Sequence, residues 1–195
     1  RVPDLIPYQG ENKYASLQRK VFARQIDELA YKDGLYFLGT TKLNINTRVD
    51  HGKKASPRWS IKSKTFTICV AMQSDGLFMY EAEEDPSPFS SSPNVSPAGS
   101  PEIKKEPYKF AHFFKKFMAR LKENNTKKGY FVVEGIKLRE AQEDDPDFPY
   151  PIRPYRFIVY PGDSTFFSPT ELFFDQLRSY IDKFNPATPQ DVFSA

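Results

Sequence analysis

Apolar and polar residues alternate along this chain with periods that change from segment to segment, and these periods predict most of its secondary structure. Residues 14 to 30 predict a helix, because four of their apolar positions fall near one helical face with charged residues elsewhere. The residues near that face are Leu17, Val21, Ile26 and Leu29. Three strands rich in β-branched and aromatic residues follow, with the sequences LYFLGTTKLNI, KTFTICVAM and LFMYEAEE. The tripeptide Ser74-Asp75-Gly76 predicts a hairpin turn between the second and third strands.

The second half of the chain again mixes helices and strands. The sequence YKFAHFFKKFMARLKE predicts an amphipathic helix with the apolar face Phe110, Phe113, Phe114, Phe117 and Leu121. Two more strands are predicted in GYFVVEGIKLRE, where Gly135 would form a bulge, and in YRFIVY. A last helix is predicted to begin at Ser168 as N-cap, with Pro169 at the first helical position and Glu171 completing a capping box. Its predicted buried face consists of Phe173, Leu177, Tyr180, Ile181 and Phe184.

A Ser- and Pro-rich segment at about residues 85 to 107 has no apolar period. Its small polar residues cannot bury enough surface to offset the entropy of ordering, so we expect a disordered insertion within a single domain of residues 1 to 195. Four Ser-Pro steps suit a proline-directed kinase, and the sequence IKKE suits SUMO attachment. The predicted modification sites are Ser87, Ser92, Ser96, Ser100 and Lys104. Together these patterns favour a regulated nuclear phosphoprotein.

The order of the predicted elements indicates a fold class. It runs helix, three strands, insertion, helix, two strands, helix, and five strands with a helix between the third and fourth is the order of the OB-fold. We therefore expect a mainly β, α+β domain with flanking helices, built on a five-stranded OB-fold-like barrel and closed by a C-terminal helix. A generic α+β sheet covered by helices is the alternative that the order leaves open.

Composition narrows the classes of function. The single cysteine, Cys69, lies in an apolar run, which excludes a disulfide framework or a Cys-rich zinc site and favours a reducing compartment. The two histidines, His51 and His112, are far apart and have no acid or cysteine at metal-ligand spacing. No phosphate-loop, dinucleotide-binding or nucleophile-elbow motif is present, and no segment approaches the roughly 18 apolar residues of a membrane helix. We therefore expect no enzymatic activity, no metal or cofactor, no small-molecule substrate and no membrane partner.

Charge is unevenly distributed although the formal net charge is only +3. Residues 42 to 64 contain seven bases and one acid, whereas residues 140 to 147 contain five acids and no base. Trp59, the only tryptophan, follows Arg58 inside the basic segment. A groove for single-stranded nucleic acid needs cations that follow phosphates and rings that stack on bases, each stack contributing about 1–3 kcal/mol. The alternative is a solvated charged loop with Trp59 packed in the core.

The stretches GYFVVEGIKLRE and YRFIVYPGDSTFFSPTELFFDQLRSYIDKF resemble the closing half of telomeric single-strand-binding OB-folds, of the protection-of-telomeres type and the yeast telomere end-binding type. The segment NTRVDHGKKASPRWSIKSKTFTICVAM corresponds to their first loop and second strand, so the resemblance covers about residues 34 to 184. It implies binding of G-rich single strands in an aromatic and basic cleft. The residues that would line this cleft are Arg48, Lys53, Lys54, Arg58, Trp59, Lys62, Tyr80, Arg153 and Arg156. The acidic loop EAQEDDPDFPYPIRP departs from the pattern, because its acids would repel phosphate.

Two functions remain open from the sequence. The first is a nuclear domain that binds single-stranded nucleic acid, at telomeres if the resemblance holds, through a basic groove with stacking aromatics. The second is a non-catalytic protein–protein interaction domain of a nuclear scaffold or transcription-related complex, with a partner docked on the acidic loop and exposed aromatics. The exposure of Trp59, and the position of the basic segment relative to the strand aromatics, separate the two.

Overall fold

A computed structural model of the chain contains a five-stranded sheet with helices on both of its faces. The structure describes residues 13–30, 34–50, 59–85, 110–145, 148, 154–162, 164 and 167–184, with only the backbone at 46–50 and 59–63. The strands are β1 (Leu35–Asp50), β2 (Trp59–Gln73), β3 (Gly76–Glu84), β4 (Tyr130–Val133) and β5 (Arg156–Val159). The helices are α1 (Lys13–Ala30), α2 (Phe110–Glu123), α3 (Gly135–Asp144) and α4 (Pro169–Phe184).

The sheet is open and mixed, with the strand order β3-β2-β1-β4-β5. β1 pairs antiparallel with β2, and β2 with β3, while β4 runs parallel to β1 and β5 parallel to β4. A parallel pair needs a crossover connection, and α2 and α3 lie in the two connections that precede β4 and β5. The OB-fold prediction was therefore wrong: an OB barrel closes on itself, whereas this sheet ends at β3 on one side and β5 on the other.

Helices cover both faces of the sheet because alternate strand residues point to opposite sides. On one face α1 packs on Val132 and Ile158 through Phe22 and Leu29. On the same face α4 covers β1 and β2, with a cluster composed of Leu43, Ile45, Phe66, Ile68, Val70, Phe174, Leu177 and Ile181. α2 and α3 cover the other face, where all five predicted apolar residues of α2 are buried, so that prediction is confirmed.

Two other predicted helix faces were partly wrong. α1 buries Phe22 beside Leu29 and leaves Leu17 and Val21 exposed. Phe22 lies about a third of a turn away from the predicted face that contains Leu17 and Val21. Burying its ring removes more apolar surface from water than burying either of those side chains. In α4, Phe184 is exposed and Phe174 is the fully buried phenylalanine. Two apolar stripes run along each of these helices, and only the packed sheet decides which stripe faces inward.

The fourth strand ends at Val133, not near residue 140, and Gly135 begins α3 instead of forming a bulge. Leu, Arg, Glu, Ala and Gln in LREAQ are good helix formers, and Leu138 and Ala141, one turn apart, both face the core. The first part of the predicted acidic loop is therefore helical. Asp145, just after it, forms an ion pair with Lys115 of α2, so part of that acidity is neutralised. None of the described helices is long and apolar enough to cross a lipid bilayer.

Cys69 lies on β2 in the core and is completely buried, with the Thr40 hydroxyl 3.5 Å from its sulfur. Burial raises the pKa of this thiol to about 12, so little thiolate forms at pH 8. We expect a disulfide reagent such as DTNB to titrate no thiol over minutes in the folded protein, and one thiol per chain within seconds in guanidinium chloride. Rapid stoichiometric reaction of the folded protein at pH 8 would contradict this placement.

Candidate functional site at the carboxyl ends of β4 and β5

The parallel strands β4 and β5 end side by side. Val133 and Val159 form their last ladder pair, so Glu134 and Tyr160 follow at the same level. The Tyr160 amide donates a hydrogen bond to the Val133 carbonyl at 3.2 Å, which keeps the two chain segments together beyond the ladder. Ligands commonly bind at the carboxyl ends of parallel strands, and the start of α4 lies near these ends because Thr170 packs against Gly39 of the neighbouring strand β1.

The start of α4 is held by a hydroxyl cap. The Ser168 hydroxyl accepts a hydrogen bond from the Thr170 amide at 3.3 Å and lies 2.6 Å from the Thr170 hydroxyl, so the predicted N-cap is confirmed. Pro169 occupies the first helical position, which needs no amide donor. Glu171 is thereby placed in the first turn, close to the positive end of the helix dipole.

Glu134 and Glu171 interact electrostatically in the folded chain although they are distant in the sequence. The pKa of Glu171 is raised, first by burial and then by the negative charge of Glu134, while Arg178 acts in the opposite direction. Both side chains remain partly exposed, and neither forms an ion pair within the described part of the chain. A partly exposed Glu171 whose negative charge is disfavoured by Glu134 is a position that a bound cation would stabilise.

Tyr160 provides a second indication of a ligand at this position. Its side chain is only 7% exposed, and its hydroxyl makes no hydrogen bond of standard geometry to a described residue, although Ser168 lies beside it. Burial raises the pKa of Tyr160, and the charges of Glu134 and Glu171 raise it further. A buried hydroxyl without a partner costs about 1–3 kcal/mol, and native structures rarely retain one without a reason such as a ligand or water.

β1 borders the site without contributing an acid. Its parallel ladder to β4 includes Phe37 and Val132, and the same register continued by two residues brings Gly39 level with Glu134. A Cβ atom at Gly39 would collide with the Thr170 side chain and lie 3.0 Å from the Phe174 ring. Thr41, the next residue on this face, accepts a hydrogen bond from Arg178 at 2.8 Å. Within the residues that the structure describes, no three His, Cys, Asp or Glu side chains form a metal-binding group.

The residues that the sequence predicted for a nucleic-acid cleft do not lie together. Arg48 is on β1, and Trp59 and Lys62 are on β2, in the part of the hairpin that extends beyond the other strands. Tyr80 is exposed on the edge strand β3, and Arg156 begins the opposite edge strand β5. The predicted residues outside the described part of the chain are Lys53, Lys54, Arg58, Arg153, Ser87, Ser92, Ser96, Ser100 and Lys104.

Distance along β1 separates these groups. Arg156 lies level with Leu35 of β1, because Arg156 pairs with Tyr130 and Tyr130 pairs with Leu35. Arg48 lies about 40 Å further along β1 than Leu35, at roughly 3.3 Å per residue. The described residues of the predicted set therefore do not form one cleft. Whether each of them binds nucleic acid stays a prediction. Sequence reasoning assigned Glu171 only to a helix cap and overlooked Glu134, whose signal is its position directly after a buried strand.

The overall fold of this chain has a counterpart among solved structures. The chain superposes on the Mos1 mariner transposase paired-end complex with Mn at a TM-score of 0.51 and 9% identity, over 99% of this chain. The chain has the fold of this transposase. Solved structures of the Mos1 strand transfer complex and the pre-cleavage Mos1 transpososome both match at a TM-score of 0.48, with 12% and 11% identity. This chain spans about 60% of each of these chains, and no family model or curated protein sequence matches it.

This fold corrects two predictions. The resemblance to telomeric single-strand-binding OB-folds was wrong, since an open mixed sheet cannot provide their closed barrel, and the telomeric assignment that depended on it is withdrawn. The prediction that the chain is not an enzyme was also wrong, because it rested on missing local motifs whereas the shared fold is that of a transposase. Glu134 and Glu171 meet only in the folded chain, so no local motif search detects them.

Proposed function

We propose that this domain binds nucleic acid, and that Glu134 and Glu171 hold one divalent cation against a phosphate of the bound strand. The observation that carries the proposal is the electrostatic interaction of these two carboxylates beside the start of α4, where burial first and the charge of Glu134 second raise the pKa of Glu171. The shared fold supports it, because the Mos1 mariner structure with this fold is a paired-end complex with Mn. The nuclear location predicted from the sequence is consistent with such a ligand.

The donor set fits one hard cation. Mg²⁺ and Mn²⁺ prefer oxygen ligands, and Mg²⁺ sites at phosphates commonly use one or two carboxylates with water and phosphate oxygens completing the shell. Two carboxylates alone leave most of that shell to solvent, so we expect weak cation binding in the absence of nucleic acid. A phosphate that enters the shell strengthens it, so cation and nucleic acid should each raise the affinity of the other by the same factor.

The surrounding residues suit a phosphate as well as a cation. The positive end of the α4 dipole favours an anion near its first turn, although the Thr170 and Glu171 amides there already donate to Ser168. Tyr160 keeps its proton because its pKa is raised, so its hydroxyl is available to donate to a phosphate oxygen or a bound water. When bound, a divalent cation polarises the phosphoryl oxygen that it contacts. Phosphodiester cleavage is therefore the second candidate function, and the shared transposase fold is the observation that favours it.

Fluorescence anisotropy of labelled DNA tests the proposal, with Mn²⁺ compared against EDTA at constant ionic strength. We expect Mn²⁺ to tighten binding by about tenfold, or about 1.4 kcal/mol, in the wild-type chain. Glu134→Gln and Glu171→Gln should each abolish this increase, because each removes one of the two anionic ligands while preserving side-chain volume. Glu143→Gln, an exposed acid on α3, is the matched control and should retain the increase.

Two results would contradict the proposal: absence of nucleic-acid binding by the wild-type chain, or a Mn²⁺ effect that persists in both glutamate variants. Nicking of supercoiled plasmid in the same Mn²⁺ samples tests the second function. Nicking that requires both Glu134 and Glu171 supports cleavage, and Mn²⁺-dependent binding without nicking restricts the site to binding.

A further inference from the structure

The hairpin of β1 and β2 continues well beyond the rest of the sheet. The ladder between β2 and β3 ends at Phe66 and Glu84, and β4 pairs only with the first residues of β1. From Asn46 and Ser63 to Asp50 and Trp59, β1 and β2 pair only with each other in the described ladders. We call residues 46–50 and 59–63 the β-ribbon. Its five rungs extend about 17 Å at about 3.4 Å per residue.

Basic residues lie both at the root of the β-ribbon and within it. Lys42 and Lys64, at the root, form ion pairs with Asp85 and Glu84 at 2.8 and 2.9 Å. These two bases are therefore largely neutralised. Arg48 and Lys62 lie on adjacent rungs of the β-ribbon itself, which also contains one acid, Asp50. The sequence that links its two strands, residues 51 to 58, adds three bases and no acid.

The composition of the β-ribbon is also unusual for a pair of strands. A two-stranded hairpin is at best marginally stable by itself, and hairpins usually gain stability from an apolar face that packs on a core. Six of its ten residues are either polar and uncharged, namely Asn46, Thr47, Ser60 and Ser63, or basic, namely Arg48 and Lys62. Amide and hydroxyl side chains of this kind donate to and accept from base edges, and bases contact phosphates.

We infer that the β-ribbon enters the major groove of duplex DNA. The major groove of B-form DNA is about 12 Å wide and admits a two-stranded β-ribbon. The deep, narrow major groove of duplex RNA excludes it, and a single strand has no groove. The inference rests on the proposed binding of nucleic acid but not on the carboxylate site. Gly39 marks that site, and Arg48 lies about 30 Å further along the same strand, at roughly 3.3 Å per residue.

The experiment measures affinity for labelled duplex DNA, the matching single strand and duplex RNA over a range of salt concentrations, with and without Mn²⁺. The ribbon variant is Arg48→Ala/Lys62→Ala. The matched control, Lys127→Ala/Lys128→Ala, makes the same change in charge at two exposed bases that precede β4. Thermal unfolding followed by circular dichroism shows whether each variant keeps the wild-type fold, and Arg48→Lys/Lys62→Arg retains both charges as a second ribbon variant.

We expect the wild-type chain to prefer duplex DNA over both other nucleic acids. The ribbon variant should bind duplex DNA at least tenfold more weakly near 0.15 M salt, and the slope of log K against log salt should fall in magnitude by about 2. Its Mn²⁺ effect should persist, the charge-retaining variant should bind like the wild-type chain, and the control should keep its affinity.

Equal duplex affinity in the ribbon variant and the wild-type chain, at unchanged fold, would overturn the inference. Tighter binding of single strands or of duplex RNA would overturn it as well. If the glutamate variants lose the Mn²⁺ effect while the ribbon variant binds normally, the inference fails and the proposed function stands. If the wild-type chain binds no nucleic acid, both are overturned.

Discussion

Replacing Phe131 with alanine lowers the free energy of unfolding by about 3 to 5 kcal/mol. Phe131 is on β4, an interior strand between β1 and β5, and is completely buried. Its ring lies within 5.3 to 6.0 Å, centroid to centroid, of five other aromatic rings. Those rings are Tyr36, Phe114, Phe117, Tyr155 and Phe157. Truncation removes apolar surface from the core and leaves a cavity, which a strand hydrogen-bonded on both sides cannot close.

Urea unfolding followed by far-UV circular dichroism measures this loss, with an unchanged m-value showing that the unfolded state is the same. Leu172→Ala is the matched control, because Leu172 is a large apolar residue that α4 exposes to solvent. It should change the stability by no more than about 0.5 kcal/mol. A loss below about 1.5 kcal/mol for Phe131→Ala would show that this aromatic cluster is not the tightly packed centre of the fold.

Gly39→Val lowers the free energy of unfolding by about 1 to 3 kcal/mol, or more, because it overpacks the contact between β1 and α4. A Cβ atom at Gly39 would collide with Thr170 and lie 3.0 Å from the Phe174 ring, and Phe174 is itself fully buried. β1 is held by β2 on one side and β4 on the other, so the start of α4 has to move instead. Glu171 moves with it, and we expect the Mn²⁺-dependent part of nucleic-acid binding to fall together with stability.

A double-mutant cycle separates this contact from a general intolerance of substitution. Gly39→Ala should destabilise the chain in its own right, and Gly39→Ala/Thr170→Gly should lose less than the sum of the two single changes, because the second removes the atoms that collide. Gly162→Ala is the control, since no atom lies within 4 Å of the Cβ position there and its change should stay within about 0.5 kcal/mol. If the stability change of the double variant equals the sum of the changes for Gly39→Ala and Thr170→Gly, the close contact between the two residues is contradicted.

The carboxylate pair and the β-ribbon make different contributions to the proposed activity. Fold alone does not determine function, so the proposed function depends on Glu134, Glu171 and the buried hydroxyl of Tyr160, which has no hydrogen bond of standard geometry among the described residues. The carboxylate pair is proposed to act over a short distance, through a cation that also binds a phosphate. The β-ribbon is proposed to add salt-sensitive contacts to the duplex about 30 Å from the carboxylate pair. The glutamate variants should therefore change the Mn²⁺ effect on binding, and the ribbon variant should change the salt dependence of binding.

Features that depend on residues a few positions apart were correctly predicted from the sequence. The apolar face of α2, the Ser168 cap of α4 and the turn before β3 all follow from local spacing or local hydrogen bonds. Gly76 in that turn has φ +130°, a backbone conformation that glycine adopts without steric cost. All five strands were located as well, although β4 was predicted to be too long and β1 and β2 too short, since residues 46–50 and 59–63 are strand where a loop was expected.

Only the tertiary structure decided which strands pair, and therefore which fold forms. A barrel and an open mixed sheet bury the same alternating residues, so the apolar pattern of β4 does not reveal that it runs parallel to β1. For the same reason the sequence did not bring Glu134 to Glu171 or Gly39 to Thr170, since each pair is joined by packing between elements that are distant in the chain. The secondary structure of this protein is thus set mainly by local sequence, and its candidate site by the pairing of β4 and the docking of α4.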